Sequence, residues 1–512
     1  MSASVRIDGE HLPLHDVRAV AAGAAAFLAP QARARCEVAA ATLQRVVSGG
    51  AVWYGINTGF GPFARTRIAD SDISALQVNL IRSHAVGYGE PLPVPIVRAM
   101  LALRAHSLAR GYSGVGPALV EALLALLEHD CIPLVPSRGS VGASGDLAPL
   151  AHIGLVLLGE GEVVRAGKRL PAAAALEQVG LRPHRLALKE GLALINGTQY
   201  MTAAGILAAA ETQMLLHAAQ VAAAMSIEAM LGSVAAFDAG LHALRGHAGQ
   251  RQVAANLRRL LAESEVVASH ASCGRVQDAY SLRCTPQVLG ASQDAVRYVE
   301  SVLQIEADAV TDNPLVFPED DRVISGGNFH GQPLALGLDH LGVAIAEIGS
   351  LAERRLHRLL HDHDVEQLPR CLTTQPGLQS GLMMVQYLAA ALVSENRTAL
   401  HPASADNVVT GGGVEDHNSM GSIAATRLPQ LLHNVRGVIA AELLAAAQAL
   451  EFHAPLRCGT GTGAALQEVR RRVDALVDDR SLSPDIEALA TPAALTAIVR
   501  AAETALGEHL GV

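Results

Sequence analysis

Aromatic residues are scarce in this 512-residue chain, at only 3% of positions. That excludes an interior built like a β-sandwich or barrel, whose strands favour aromatic and β-branched side chains. Cysteines are few and unpaired in sequence: Cys36, Cys131, Cys273, Cys284, Cys371 and Cys458 include no Cys-x-x-Cys. Zinc ribbons and disulfide frameworks are therefore excluded, and a reduced, cytoplasmic setting is expected. Positive charge is not in excess, with 39 Lys and Arg against 49 Asp and Glu for a formal net charge of -10. Such a balance speaks against a nucleic-acid or anionic-membrane partner and leaves small-molecule chemistry. Met1 to Asp8 holds no long apolar stretch of the signal-peptide kind. The apolar stretch from Met201 to Leu231 is interrupted by Glu211, Gln213, His217, Gln220 and Glu228, the pattern of a buried helix in a soluble protein. Walker A and His-Glu-x-x-His sequences are also missing, so neither a metal nor a nucleotide site is expected.

Half of the residues are hydrophobic, mostly Ala, Leu and Val, which suits closely packed helices. Helices are expected over 95–109, 117–127 and 146–158, and long ones near 198–232, 291–311, 333–361, 378–400 and 419–453. Residues 162–170 read as one small β-hairpin. The expected fold is mainly α, in three stretches: an N-terminal region (1–200), an elongated central bundle of long helices (201–460) and short C-terminal helices (461–512). Helices of about 30 residues span about 45 Å, which suggests pairing with other subunits.

Chemistry concentrates first in Ser137-Arg138-Gly139-Ser140-Val141-Gly142-Ala143-Ser144-Gly145-Asp146. A backbone amide nitrogen reaches the carbonyl two residues upstream only in a very tight turn, and Gly145 has no Cβ to obstruct it. Ser144 adds a hydroxyl that can leave as water. The plainer reading is a glycine-rich turn before a helix, with Ser144 or Asp146 as N-cap. Five further segments stand out: Tyr54–Gly61, Glu190–Gln199, Val276–Cys284, Gly326–Gly331 and Glu415–Gly421. Each has a plain alternative too. Tyr54 could be core packing, Arg283 a partner of Asp278, His84 a satisfied helix-end histidine and Phe329 ordinary core.

Taken in order along nearly the whole chain, these six segments resemble the aromatic amino acid ammonia-lyase family, the histidine, phenylalanine and tyrosine ammonia-lyases. The resemblance implies a fumarase/aspartase-like helical architecture, and a prosthetic electrophile, 4-methylideneimidazol-5-one (MIO), formed from Ala143, Ser144 and Gly145. It implies Asn196 as a hydrogen-bonding partner of that group and Tyr54 as the base that removes the β-proton, a role for which a phenol needs positive potential from nearby helix N-termini. Arg283 would hold the substrate carboxylate through its planar fork. Gln277 and Tyr280 would position substrate or electrophile, and Phe329 would pack near the electrophile. A homotetramer with shared active sites follows from the same resemblance.

Substrate choice points to the ring pocket. Ser83-His84 stands where the histidine-type members of the family have Ser-His, and Glu415 can accept from or pair with a polar ring. Deamination of L-histidine to trans-urocanate and ammonia is the implied reaction. The alternatives are a lyase or 2,3-aminomutase acting on another aromatic or imidazole amino acid or betaine. A catalytically dead scaffold would need losses at Tyr54, Ser144 or Arg283, and none is seen. Two stretches depart from the histidine-type pattern. Gly413-Val414 replaces Asn-Gln ahead of Glu415, after a glycine-rich Thr410-Gly411-Gly412, and Leu372–Gly377 lacks the usual asparagines. Both are expected near the substrate.

Overall fold

The structure, a computed structural model, describes residues 4–50, 52–271, 276–361 and 368–511. It is mainly helical, as expected. The long helices run over Gln199–Ala229, Thr285–Ala307, Gln332–His361, Met383–Ala399 and Gly421–Glu451. Shorter ones cover Val94–Ala109 and Pro117–Glu128, each with proline in its first turn, where the missing N–H costs nothing. Strands are short, two to four residues each. The expected hairpin, Glu162–Arg165 with Lys168–Pro171, is joined by Ile132–Pro133. A second antiparallel hairpin, Leu315–Phe317 with Arg322–Ile324, was not expected from the sequence.

The chain divides into two compact units. The first comprises Met1–Leu207, Glu300–Asp339 and Pro402–Arg427; the second comprises Ala208–Val299, His340–His401 and Leu428–Val512. The chain first passes from one unit to the other between Leu207 and Ala208. Beyond that point the units interleave, because four of the long helices contribute residues to both.

In the first unit, two buried cations brace the segment that leads to the site. Arg104, 1% exposed, donates through Nε to Ala193 O (2.8 Å) and through Nη1 to Thr311 O (2.9 Å) and Gln199 Oε1 (3.0 Å). Its burial pushes the guanidinium down to about 10, opposed by Asp312. Lys189 Nζ lies 2.5 Å from Asp312 Oδ2 and donates to Ser113 O at 3.1 Å. These contacts grip the chain on both sides of the Ile195-Asn196-Gly197 turn. In the second unit, Arg355 and Glu442, both fully buried, meet in a two-point ion pair of 2.5 and 2.9 Å. Ser226 Oγ donates to the same carboxylate at 2.8 Å.

The Gln199–Ala229 segment is buried over nearly its whole length, as its interrupted apolar pattern suggests. Among the described residues, Gln332–His361 is the one helix long and apolar enough to cross a bilayer, and 67% of its apolar window is buried inside the protein. Cys36, Cys131, Cys284, Cys371 and Cys458 carry free thiols, and Cys273 lies outside the described residues.

Candidate active site

The Ala143-Ser144-Gly145 turn leads directly into the Leu147–Leu157 helix, whose N-terminus turns its positive end toward the tripeptide. Gly145 has φ +75°, and a Cβ there would lie 2.2 Å from Gly197 O. Only glycine fits this position. The turn is pinned to the Asn196-Gly197 segment: Gly145 and Gly197 form a parallel bridge, and Asp146 N donates to Gly197 O at 2.7 Å. Asn196 is thereby brought beside Ser144. Its Oδ1 is buried and accepts no hydrogen bond.

Asp146 stands at the N-cap position, but its side chain does not cap the helix. Oδ2 accepts from Met201 N (3.0 Å), and Ser422 Oγ lies 2.8 Å from Oδ1. Ser422 Oγ is in turn 2.8 Å from Ser140 Oγ, which accepts from Gly142 N at 3.1 Å. Complete burial pushes the Asp146 carboxyl up to about 7, against the lowering effect of these donors. The supporting role of Ser140, Asp146 and Ser422 escapes sequence reading. Only Asp146, beside the tripeptide, carries a signal there, and that signal suggests a cap.

A cavity of about 640 Å³ opens over Ser144. Tyr54, Ser83, His84, Ser144, Asn196 and Glu415 all line it, so six of the expected site residues meet in one place. Its remaining wall is largely apolar, from Phe60, Leu76, Leu80, Leu147, Leu192 and Ile195. Such a wall with a few convergent polar groups suits a small molecule carrying a planar ring. Ala143 and Gly145 flank Ser144 in the chain.

The polar groups are held from behind. Tyr54 Oη accepts from Gly61 N at 3.3 Å, and its ring meets Phe60 edge-on at 6.4 Å between centroids. His84, at the end of the Ile73–His84 helix, has Nδ1 2.9 Å from Leu80 O and 3.0 Å from Ser83 Oγ. Nδ1 therefore carries the proton, and Nε2 is left as an acceptor. Burial pushes the imidazole below its ordinary value, opposed by Leu80 O and the Glu415 carboxylate, which favours the neutral ring. Glu415 accepts from Ser144 Oγ through Oε1 (3.1 Å) and from Thr410 Oγ1 through Oε2 (2.7 Å).

Four expected residues are not brought to this cavity. Phe329 belongs to the same unit and is half-buried in the loop before the Gln332–His361 helix, but it does not line the cavity. Gln277, Tyr280 and Arg283 belong to the second unit, where they cluster among themselves. Arg283 Nη2 donates to Gln277 Oε1 (2.9 Å), Arg283 Nε donates to Asp278 O (2.9 Å), and the guanidinium lies 4.8 Å from the Tyr280 ring centre. Of the two departures from the histidine-type pattern, Gly413-Val414 adjoins the site through Gly411 and Glu415, but Val414 itself is 74% exposed and outside the lining. Leu372–Gly377 lies in the second unit.

Residues 12–471 match the family described as aromatic amino acid lyase. A histidine ammonia-lyase of Symbiobacterium thermophilum is 51% identical over 500 residues, which cover 98% of each chain. Among solved structures, histidine ammonia-lyase from Trypanosoma cruzi superposes with a TM-score of 0.90 at 38% identity, over 98% of this chain and 96% of that one. Tyrosine aminomutase from Streptomyces globisporus superposes with a TM-score of 0.94 at 36% identity, over 99% of this chain and all of that one. With the family match spanning most of its length, the chain belongs to the aromatic amino acid lyase family.

Proposed function

We propose that this protein is a carbon–nitrogen lyase that converts L-histidine to trans-urocanate and ammonia in the cavity over Ser144. One observation carries the reading: His84 and Glu415, two hydrogen-bond acceptors, line the same apolar-walled cavity as Ser144. An imidazole offers N–H donors to such acceptors, whereas a phenyl ring offers none. The histidine ammonia-lyase relative at 51% identity supports the same substrate.

Ala143, Ser144 and Gly145 are proposed to mature into MIO. Gly145 N attacks the Ala143 carbonyl carbon, whose oxygen departs as water, and Ser144 loses its Oγ with its α-hydrogen as a second water. The residues fit the group. The turn admits only glycine at 145, Ser144 faces the cavity, and Asn196, whose side-chain amide can donate to the group's oxygen, lines the same cavity. Once formed, the group supplies an electrophile that makes the substrate nitrogen a better leaving group.

The chain's own residues bind, orient and move the proton. Tyr54 takes the β-proton, with its Oη held by the Gly61 N–H. His84 Nε2 and Glu415 Oε1 receive the ring, and the apolar wall keeps water from the reacting carbon. Arg283 takes the carboxylate, with Gln277 and Tyr280 beside it and Phe329 near the electrophile. These four serve in a cytoplasmic homotetramer whose sites draw on more than one subunit.

The likeness to an aminomutase favours a second reading, in which the ammonia returns to the β-carbon of another amino acid. Offering L-histidine, L-phenylalanine, L-tyrosine and an imidazole betaine in parallel, with Ser144→Ala as control, separates the two. Urocanate from histidine alone, lost in the control, is the expected result. A β-amino acid product, or turnover confined to another substrate, would overturn the histidine reading.

A further inference from the structure

Glu415 can direct a ring only if its carboxylate is held in one orientation, and the structure shows what holds it. We propose that Thr410 is a positioning residue for substrate-ring recognition, fixing Glu415 so that a single oxygen, Oε1, serves the cavity. The inference rests on the histidine reading above.

The direction of the hydrogen bonds decides the matter. Asn418 Nδ2 has only protons to give, and it donates to Thr410 Oγ1 (3.0 Å) and Val408 O (2.5 Å). Thr410 Oγ1 therefore accepts from Asn418 and directs its own single proton at Glu415 Oε2, 2.7 Å away. The backbone reinforces the arrangement: Thr410 N donates to Glu415 O at 3.0 Å, and the two residues form an antiparallel bridge. Gly411, inside the turn between them, has φ +57°. A Cβ there would lie 2.8 Å from Glu415 Cγ and Cδ, so any side chain would displace the carboxylate.

With Oε2 occupied, Oε1 is the oxygen left to the cavity, where it accepts from Ser144 Oγ at 3.1 Å. That hydroxyl is the one lost on maturation, which leaves Oε1 free to accept from a ring N–H. Thr410 does not line the cavity, so its effect passes through Glu415.

Steady-state kinetics of Thr410→Val and Thr410→Ser with L-histidine test this, alongside the mass of the peptide holding residues 143–145. Thr410→Val keeps the shape and removes the hydroxyl. KM should rise about tenfold, the scale set by losing one hydrogen bond to a charged group, while kcat and the matured peptide mass stay near wild type. Thr410→Ser should restore KM, which a merely structural role for the side chain would not produce. Should Thr410→Val fail to fold, Thr410→Ala is expected to show the same KM defect. A wild-type KM in a variant lacking the hydroxyl, or a Thr410→Ser protein as impaired as Thr410→Val, would overturn the inference. A wild-type protein that leaves L-histidine untouched sinks the substrate reading and this inference together; normal wild-type turnover with an unchanged Thr410→Val sinks this inference alone.

Discussion

Asp146 shows how a single residue's environment sets a measurable property. Its carboxyl is fully buried beside the tripeptide, and burial raises it from 3.8 to about 7. The unfolded chain releases this proton near the lower value and the folded chain near the upper one. Between them the folded state binds more protons, so the stability Asp146 contributes falls as pH rises through that window, by at most about 1.4 kcal/mol per pH unit. Asp146→Asn removes the titration. Its apparent Tm, measured against wild type, should therefore climb as pH increases from about 4 to about 7; a constant difference across the window would contradict the account. The residues that meet in the cavity are legible in the sequence where they belong to a short motif, as at Ser144, Asn196, Ser83-His84 and Glu415. Supporting residues are less so. Asp146 looks like an N-cap until Ser422, more than two hundred positions away, is seen against it, and Thr410 reads as part of a glycine-rich approach until its proton is traced to Glu415.

Among whole elements, the long helices are legible because Ala and Leu recur at helical spacing, and their observed ends fall within six residues of the expected ones. The Leu315–Ile324 hairpin is not, because strands of three residues are too short to show an alternating pattern. Periodicity also hides what joins the helices. The buried pair of Arg355, on Gln332–His361, and Glu442, on Gly421–Glu451, is invisible until both helices are placed. Breaking it leaves one charge without its partner, so Arg355→Met should cost about 3–5 kcal/mol. The double variant Arg355→Met with Glu442→Leu should regain most of that, since it also removes the buried Glu442 carboxylate that the single variant leaves without its cation. Chemical denaturation of both variants measures the difference. A double variant no better than the single one would show that the pair itself, and not the orphaned charge, carries the stability.

For the whole molecule, the six motifs fall on two units that the chain enters more than once. Their linear order therefore signals the family without telling which motifs share a cavity. Tyr54, His84, Ser144, Asn196 and Glu415 converge in the first unit, while Gln277, Tyr280 and Arg283 cluster in the second. The account as a whole depends on the tripeptide in that cavity becoming an electrophile. The intact mass of the purified, histidine-deaminating protein tests this most directly. The account predicts a chain lighter than its sequence by two water molecules, with the loss mapped to residues 143–145 and absent from Ser144→Ala. An active protein with the full unmodified mass would contradict it.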